Sequence, residues 1–246
     1  MAAPSGTEAP PREARFGGWG VPLAAALIGA GIGGGAIYAA SGHIVRSYIL
    51  DHPELLPEAM TRLEAREAAK VVQANRALIE TPFAGAWAGA GNGDVTLVEF
   101  FDYACPYCRH SNGDVDRLLR EDPKLKVVWR EWPVLGPDSE AAAQVSLAAA
   151  ASGRFRPFHD ALFAAGRPSA ESVARAQQTA GVPAEAVARI RTDAAAHAEV
   201  ERNRQLATAL RASGTPTFVV GDRVLQGAVG YEALRKAVAE ARKAKA

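Results

Sequence analysis

The chain has two cysteines, and they stand three positions apart as Cys105-Pro106-Tyr107-Cys108. The residues before them, 95–101 (VTLVEFF), are β-rich and largely apolar, which predicts a buried strand. The residues after them, 109–119, have a helical pattern. The cysteine pair is therefore predicted to lie where a buried strand turns into a helix, and this indicates an α/β fold.

This placement favours redox chemistry at Cys105 and Cys108. Unpaired backbone N–H groups and the helix dipole stabilise a thiolate at the first helical position, where Cys105 is expected. Cys108 follows one turn later on the same face, so it can attack a mixed disulfide formed at Cys105. Pro106 suits a first helical turn. Because no other cysteine is present, a redox disulfide is predicted rather than a structural staple.

Glu99 is an acidic residue in the middle of this apolar strand, six positions before Cys105. Strand alternation places it on the same side as Phe101. A buried, unpaired carboxylate is costly and has a raised pKa. Near Cys108 it could relay the proton that the thiol must lose, which makes Glu99 a candidate catalytic residue. The alternative is an exposed glutamate on a half-open strand.

The N-terminal region predicts export. Residues 16–42 contain no charged side chain, and residues 19–42 are long enough to cross a bilayer as a helix. We expect a cytoplasmic tail at residues 1–18, a transmembrane anchor at 19–42 and a catalytic domain in the periplasm. The alternative is a cleaved signal peptide that leaves a soluble periplasmic protein.

A helical neck is predicted at residues 43–80. Asp51 is the expected N-cap of its helix, and one helical face carries apolar side chains (Leu56, Met60 and Leu63). The neck could be a spacer, part of the core, or a homo-oligomerisation segment within residues 45–80. Residues 80–93 are rich in glycine, alanine and proline, and they predict a linker or an irregular edge.

The catalytic domain is expected over residues 81–246. A second strand is predicted at 125–132, followed by an Ala-rich helical insert at about 138–212. The predicted interruptions of the insert are Gly153, residues 167–169 and residues 181–183. Two strands (217–220 and 223–226) joined at Gly221-Asp222 indicate a hairpin, and a helix (231–244) closes the chain. The expected fold is an α/β layer with a helical insertion.

Three motifs resemble the DsbA-like branch of the thioredoxin superfamily: residues 99–108 (EFFDYACPYC), 156–163 (RPFHDALF) and 214–218 (GTPTF). The resemblance covers about residues 92–244. It implies a thioredoxin fold with an inserted helical domain and exported protein substrates that contain cysteines. It also implies roles for single residues: Cys105 is the nucleophile, Cys108 resolves, Glu99 is the buried acid, Pro216 is cis, and Thr215, Pro216, Pro106 and Tyr107 face the bound peptide.

Residues 45–60 are similar to the N-terminal region of suppressor-of-copper-sensitivity C proteins. In some of these the segment mediates homo-oligomerisation, and the assembly isomerises disulfides. Two features differ from the strongly oxidising relatives: Tyr107 replaces histidine, and Thr215 rather than valine precedes Pro216. The first predicts a less extreme Cys105 thiolate. Oxidase, isomerase and reductase directions stay open, as does the membrane redox partner, a quinone-linked oxidase or a thiol reductase.

A second hypothesis is copper handling. Two thiolates at Cys105 and Cys108 could hold Cu(I), a soft ion, with His110 nearby in sequence. No structural zinc site or other cofactor is expected, because a zinc site needs four ligands. His159 is predicted to be a core histidine rather than a base. The net charge of +1, with no basic stripe, argues against nucleic acid as a partner.

Overall fold

The computed structural model describes residue 42 and residues 45–245. Its elements, in chain order, are α1 (Leu55–Glu80), β1 (Trp87–Gly89), β2 (Val95–Phe101), α2 (Pro106–Glu121), β3 (Leu125–Glu131), α3 (Pro137–Ala151), α4 (Phe155–Ala165), α5 (Ala170–Ala180), α6 (Ala184–Ile190), α7 (Ala194–Ala209), β4 (Thr217–Val220), β5 (Arg223–Gln226) and α8 (Tyr231–Lys245).

The strands form one mixed sheet in the order β1-β3-β2-β4-β5. β2 lies at its centre, parallel to β3 and antiparallel to β4. The predicted strand–helix–strand order around the cysteines and the predicted hairpin are confirmed. β1, which pairs antiparallel with β3, lies within the segment predicted as a linker or irregular edge. This mixed sheet with flanking helices is a thioredoxin-like α/β fold.

The two faces of β2 contribute to different cores. Leu97 and Phe101 pack on the side that holds the cysteines, α2, α8 and most of the helices between β3 and β4. Val98 and Phe100 pack on the opposite side, against the second halves of α1 and α7. Because side chains alternate along a strand, Glu99 belongs to the cysteine side, as predicted. Glu99 is buried, so the alternative of an exposed glutamate is wrong.

Five helices, α3 to α7, lie between β3 and β4. The predicted interruptions are present, and Gly153 and Gly181 both have positive φ (69° and 65°), which glycine adopts without strain. One further break separates α6 from α7. Asp193 is the N-cap of α7, and its side chain accepts hydrogen bonds from the N–H groups of Ala195 and Ala196. This break was not predicted, because the surrounding sequence is Ala-rich and helical in pattern.

The neck region differs from the expected pattern at its start. Residues 45–51 are helical, so Asp51 ends one helical stretch instead of capping the next, and α1 begins at Leu55. Pro53 has no N–H to donate, which interrupts the helix there. The chain divides into two compact units between Met60 and Thr61. Within the second unit, Val72 and Ile79 of α1 are buried against the sheet, so this part of α1 belongs to the core on the face opposite the cysteines.

The predicted tail at residues 1–18 and the predicted anchor at 19–42, apart from residue 42, lie outside the described residues. Over the part of the chain that is described, none of the helices has both the length and the hydropathy required to cross a bilayer.

Candidate active site

The turn between β2 and α2 positions the first cysteine. Cys105 is the N-cap of α2, with extended backbone angles (φ −78°, ψ 119°), and Pro106 begins the helix. The Cys105 N–H donates to the carbonyl oxygen of Asp102 (3.0 Å), which closes the turn. Both cysteines are present as free thiols. Only 4% of Cys105 and 1% of Cys108 is exposed, whereas 64% of neighbouring Tyr107 is exposed.

The second part of the site comes from a segment 110 residues further along the chain. The Cys105 Sγ lies 3.1 Å from the carbonyl oxygen of Thr215, to which it donates when Cys105 is protonated. The Thr215–Pro216 peptide bond is cis, as the resemblance implied. The Thr217 hydroxyl donates to the carbonyl of Gly214 (2.7 Å), which holds this segment just before β4 begins. The structure therefore brings Thr215 into contact with Cys105 and places the cis Pro216 directly after it.

The two thiols have opposite acidities. The pKa of Cys105 is lowered to about 5, chiefly because the Cys108 thiol donates a hydrogen bond to the thiolate. The Thr215 side chain and the N–H groups of Tyr107 and Cys108 also lower this pKa, and burial opposes them. For Cys108, burial, the hydrogen bond to Cys105 and the negative charge of Glu99 all raise the pKa. The site thus holds one thiolate and one protonated thiol at neutral pH.

Glu99 lies in the wall behind the cysteines and is 2% exposed. Its Oε2 accepts a hydrogen bond from the indole Nε1 of Trp129, 3.1 Å away. Burial raises the pKa of Glu99 to about 8, the Trp129 hydrogen bond lowers it, and the charge of Cys105 raises it further. A carboxyl group with that pKa can both accept and release a proton near neutral pH.

The comparisons with known proteins agree with this geometry. Residues 96–239 match the family of DSBA-like thioredoxin domains, which is more than half of the chain. This chain belongs to the DsbA-like thioredoxin family. The predicted membership of a family of thiol–disulfide oxidoreductases is confirmed. Residues 39–70 also match the N-terminal domain of the copper resistance protein ScsC, which confirms the second resemblance.

Solved structures support the same assignment. A thioredoxin-like oxidoreductase from Silicibacter pomeroyi is 40% identical, with a TM-score of 0.64, and the match covers 68% of this chain and 96% of that one. The thiol-disulfide exchange protein alpha-DsbA2 from Wolbachia pipientis is 27% identical, with a TM-score of 0.65, and the match covers 72% of this chain and 96% of that one.

Curated relatives include the Na(+)/H(+) antiporter NhaA 3 of Salinispora tropica, which is 31% identical over 158 residues. That match covers 62% of this chain and 24% of the antiporter, so the chain spans about a quarter of the length of this relative.

Asp102 is a buried acidic residue of the site that the sequence reasoning did not single out. Its Oδ1 accepts from the N–H of Ala104 (2.7 Å). Its Oδ2 accepts from the N–H groups of Val134 and Leu135 (2.8 and 3.0 Å). One carboxylate thereby joins the turn before Cys105 to a loop whose two apolar side chains are each 46% exposed. The sequence did carry a signal for Asp102, because it is an acidic residue directly after a predicted buried strand.

A buried polar cluster lies on the same side of the sheet. The Tyr103 hydroxyl is 2.9 Å from the Ser146 Oγ and 3.2 Å from the His159 Nδ1. His159 Nε2 lies 3.2 Å from Asn112 Oδ1. Burial lowers the pKa of His159 well below its ordinary value, so this ring is neutral. The prediction of a core histidine is confirmed.

Metal binding receives no additional support from side-chain clustering. Among the described residues, no three histidine, cysteine, aspartate or glutamate side chains form a group that could hold a metal ion. His110, the third member of the C-x-x-C-x-H pattern, is exposed, whereas both cysteines are buried.

Proposed function

We propose that this protein exchanges disulfides with cysteine-containing exported proteins through Cys105 and Cys108, as an oxidase or an isomerase. The observation that carries the proposal is the placement of the two thiols: Cys105 is the N-cap of α2, and Cys108 is buried one turn later on the same helix. The opposite shifts of their pKa values agree with a thiolate at Cys105 and a protonated thiol at Cys108. The thiolate is the species that attacks disulfides, and a thiol of low pKa also leaves readily.

In the isomerase or reductase direction, the Cys105 thiolate attacks a substrate disulfide. One substrate sulfur leaves as a thiolate, and a mixed disulfide forms. Cys108 then loses its proton to Glu99 and attacks the Cys105 sulfur, which releases the second substrate thiolate and leaves a Cys105–Cys108 disulfide. In this reduction the substrate gains two electrons, and the enzyme dithiol supplies them. In isomerisation another substrate thiolate, instead of Cys108, attacks the mixed disulfide and expels the Cys105 thiolate, so a new substrate disulfide forms with no net electron transfer.

The oxidase direction is the reverse. A substrate thiolate attacks Cys105 in the enzyme disulfide, and Cys108 leaves and takes a proton from Glu99. A second substrate thiolate then attacks the mixed disulfide and expels the stable Cys105 thiolate. The pKa of about 5 at Cys105 lies between about 3.5 for DsbA and about 7 for thioredoxin, which is consistent with an intermediate redox preference.

The substrate is proposed to bind across Thr215 and Pro216, with Pro106 and Tyr107 on the opposite side. Thr215 is within hydrogen-bond distance of the reactive sulfur, and the Tyr107 ring is mostly exposed. A peptide disulfide that reaches Cys105 therefore passes between these residues.

Trapping of the mixed disulfide tests the cysteine roles. With a disulfide-bonded peptide as the probe, Cys108→Ser should accumulate a covalent enzyme–peptide adduct that reducing agent releases. Cys105→Ser should form none. Equal adduct yields from both variants would contradict the assignment. The reduction potential of the wild-type pair against glutathione, measured together with refolding of a scrambled substrate, then distinguishes oxidase from isomerase.

The neck is proposed to carry a homo-oligomer interface. Leu56, Met60 and Leu63 are spaced along one helical face, and each is more than half exposed. The match of residues 39–70 to the ScsC N-terminal domain supports this use of the segment. Light scattering of the full chain should show an oligomer that Leu63→Lys dissociates, whereas a monomeric wild type over a wide concentration range would refute the interface.

The proposed location is the periplasm, with residues 19–42 as an inner-membrane anchor and a membrane redox partner that recycles the cysteines. The support is the uncharged run in the sequence and the family's exported substrates. Membrane fractionation of the full chain, compared with a chain that lacks residues 1–42, tests the anchor. Recovery of the full chain in the soluble periplasmic fraction would favour cleavage instead.

Copper(I) handling is a second candidate, because part of the chain matches a copper resistance protein. Two neighbouring thiols are a suitable soft ligand pair. Cu(I) titration of the reduced protein should show one thiol-dependent ion per chain if this role is real. If Cys105→Ser binds as much Cu(I) as the wild type, the copper role is excluded.

A further inference from the structure

Glu99 and Trp129 are direct neighbours in the sheet. They are paired in the parallel register of β2 and β3, so their side chains share one face. Both are 2% exposed, and the Trp129 Nε1 lies 3.1 Å from the Glu99 Oε2. An indole N–H can only donate, so the carboxyl oxygen is the acceptor. This hydrogen bond is strongest when Glu99 is ionised.

Arg156 of α4 lies over the face of this indole. Its guanidinium carbon lies 4.8 Å from the centre of the Trp129 ring, which is a cation–π distance. Asp116 of α2 and Asp160 of α4 bind the Arg156 Nη2 at 2.8 and 2.9 Å, and these two carboxylates hold the guanidinium in place. A cation over the ring draws electron density from the indole and makes its N–H a stronger donor.

We propose that Trp129 and Arg156 are positioning residues through which the helical insert sets how readily Glu99 takes the proton of Cys108. Trp129 orients the carboxylate by its N–H, and Arg156 holds and polarises the indole. The inference rests on the proposed function of Glu99 as the proton acceptor.

The charges around Glu99 support this arrangement. Burial is the main cause of its raised pKa, and the Trp129 hydrogen bond is the largest influence in the opposite direction, with the Arg156 charge adding to it. Cys105 at the start of α2 and Asp116 further along α2 raise the pKa. From α4, His159 is neutral and contributes no charge. Cys108, also on α2, is the proton donor in the proposed step.

The arrangement gives the insert a chemical role as well as a structural one. Arg156 lies on α4 but bonds to Asp116 on α2, the helix that carries Cys108. A change in how α4 packs on α2 would therefore move the indole and alter the proton acceptor. The insert and the redox centre are linked through three side chains in contact.

The test is the pH dependence of the resolving step, measured by single-turnover release of a glutathione mixed disulfide. Trp129→Phe keeps an aromatic ring under Arg156 but removes the N–H. In this variant the midpoint of the pH profile should move upward by about one pH unit, and the resolving step should be several-fold slower at neutral pH. Arg156→Gln should shift the midpoint in the same direction by less, and Arg156→Lys should restore part of it.

Two controls separate the possible failures. Trp132→Phe alters a tryptophan of the opposite core and should leave the midpoint unchanged. Glu99→Gln should remove the titration altogether. If Glu99→Gln leaves the profile intact, the proposed function of Glu99 fails. If Glu99→Gln abolishes the titration while neither Trp129→Phe nor Arg156→Gln moves the midpoint, only the further inference fails. Should Trp129→Phe not fold, the Arg156 variants carry the test.

Discussion

Two buried ionisable residues on neighbouring strands have opposite kinds of surroundings. Glu99 of β2 and Arg130 of β3 are each 2% exposed, but they lie on opposite faces of the sheet. Arg130 donates to the side chains of Glu199 and Asn203 (2.8 Å each), to the carbonyls of Ile79 (2.8 Å) and Thr81 (2.7 Å), and to that of Leu78. Glu99 has a neutral indole as its hydrogen-bond partner and no ion pair among the described residues.

The difference in partners indicates that the charge of Arg130 is structural, whereas Glu99 is placed for proton transfer. Arg130 joins the C-terminal end of α1 to α7, and its positive charge compensates the carbonyl groups at that helix end. Burial lowers the pKa of Arg130, and the neighbouring Glu199 charge opposes that shift. Glu99 lacks an opposite charge at bonding distance, so burial raises its pKa into the range where it can exchange protons.

Loss of the Arg130 charge should have the largest effect on stability. Arg130→Met removes the buried ion-pair partner of Glu199, which keeps only its pair with the partly exposed Arg202, and frees the end of α1. We expect the free energy of unfolding to fall by about 3–5 kcal/mol, measured by urea denaturation. The thiol-exchange rate of the protein that remains folded should change little. A loss of less than 1 kcal/mol would show that the Arg130 network is not structural.

Loss of the chemical charge should change the pH dependence of stability instead. The pKa of Glu99 is raised from 4.5 to about 8, so between these values the folded protein binds a proton that the unfolded chain releases. This contribution is fully present below pH 4.5 and is lost as the pH rises through about 8. The slope is on the order of −1 kcal/mol per pH unit.

Glu99→Gln should remove that slope while preserving the fold. Denaturation of reduced wild type and Glu99→Gln at several pH values between 5 and 8 measures the difference. The low pKa of Cys105 adds a slope of opposite sign in both proteins, because the folded thiolate releases a proton that the unfolded thiol keeps. Only the difference between the two proteins therefore reports on Glu99, and parallel curves would contradict its raised pKa.

Asp102 is a third buried charge, with backbone partners only, and it should give an intermediate effect. Asp102→Ala leaves the N–H groups of Ala104, Val134 and Leu135 without their acceptor. We expect a loss of about 1–3 kcal/mol and a raised KM for peptide substrates, with a smaller effect on a small-molecule disulfide. Equal losses for both substrates would mean that the 134–135 loop does not contact peptide.

The smallest effect should come from an exposed pair on α7, the helix that also carries Glu199. Arg204 binds Glu201 at 2.8 Å, and both side chains are about half exposed (53% and 51%). Arg204→Met should cost about 0–1 kcal/mol, because solvent screens such pairs. Measured beside Arg130→Met, it is the matched control for the loss of an arginine ion pair on this helix.

Much of the fold followed from local pattern. The strand before Cys105, the helix after it, the terminal hairpin and most breaks in the insert were predicted, because alternation and glycine or proline positions act over a few residues. The break at Asp193 was missed, since an aspartate in an alanine-rich run becomes a cap only where the helix direction changes. The sequence allowed α1 to be a spacer, part of the core or an oligomerisation segment, and it could not choose, because the obvious apolar face (Leu56, Met60 and Leu63) is the exposed one, whereas Val72 and Ile79 are buried.

The sequence by itself determined the spacing of the two cysteines, the strand–helix junction that places N–H groups beside Cys105, and the side of β2 on which Glu99 lies. These properties depend on neighbours within one helical turn or one strand. Only the tertiary structure decided the partners: Thr215 at Cys105, Trp129 at Glu99, Arg156 over Trp129 and the carbonyls at Arg130. These pairs are distant in sequence, and sheet register and helix packing bring them together, which no local pattern specifies.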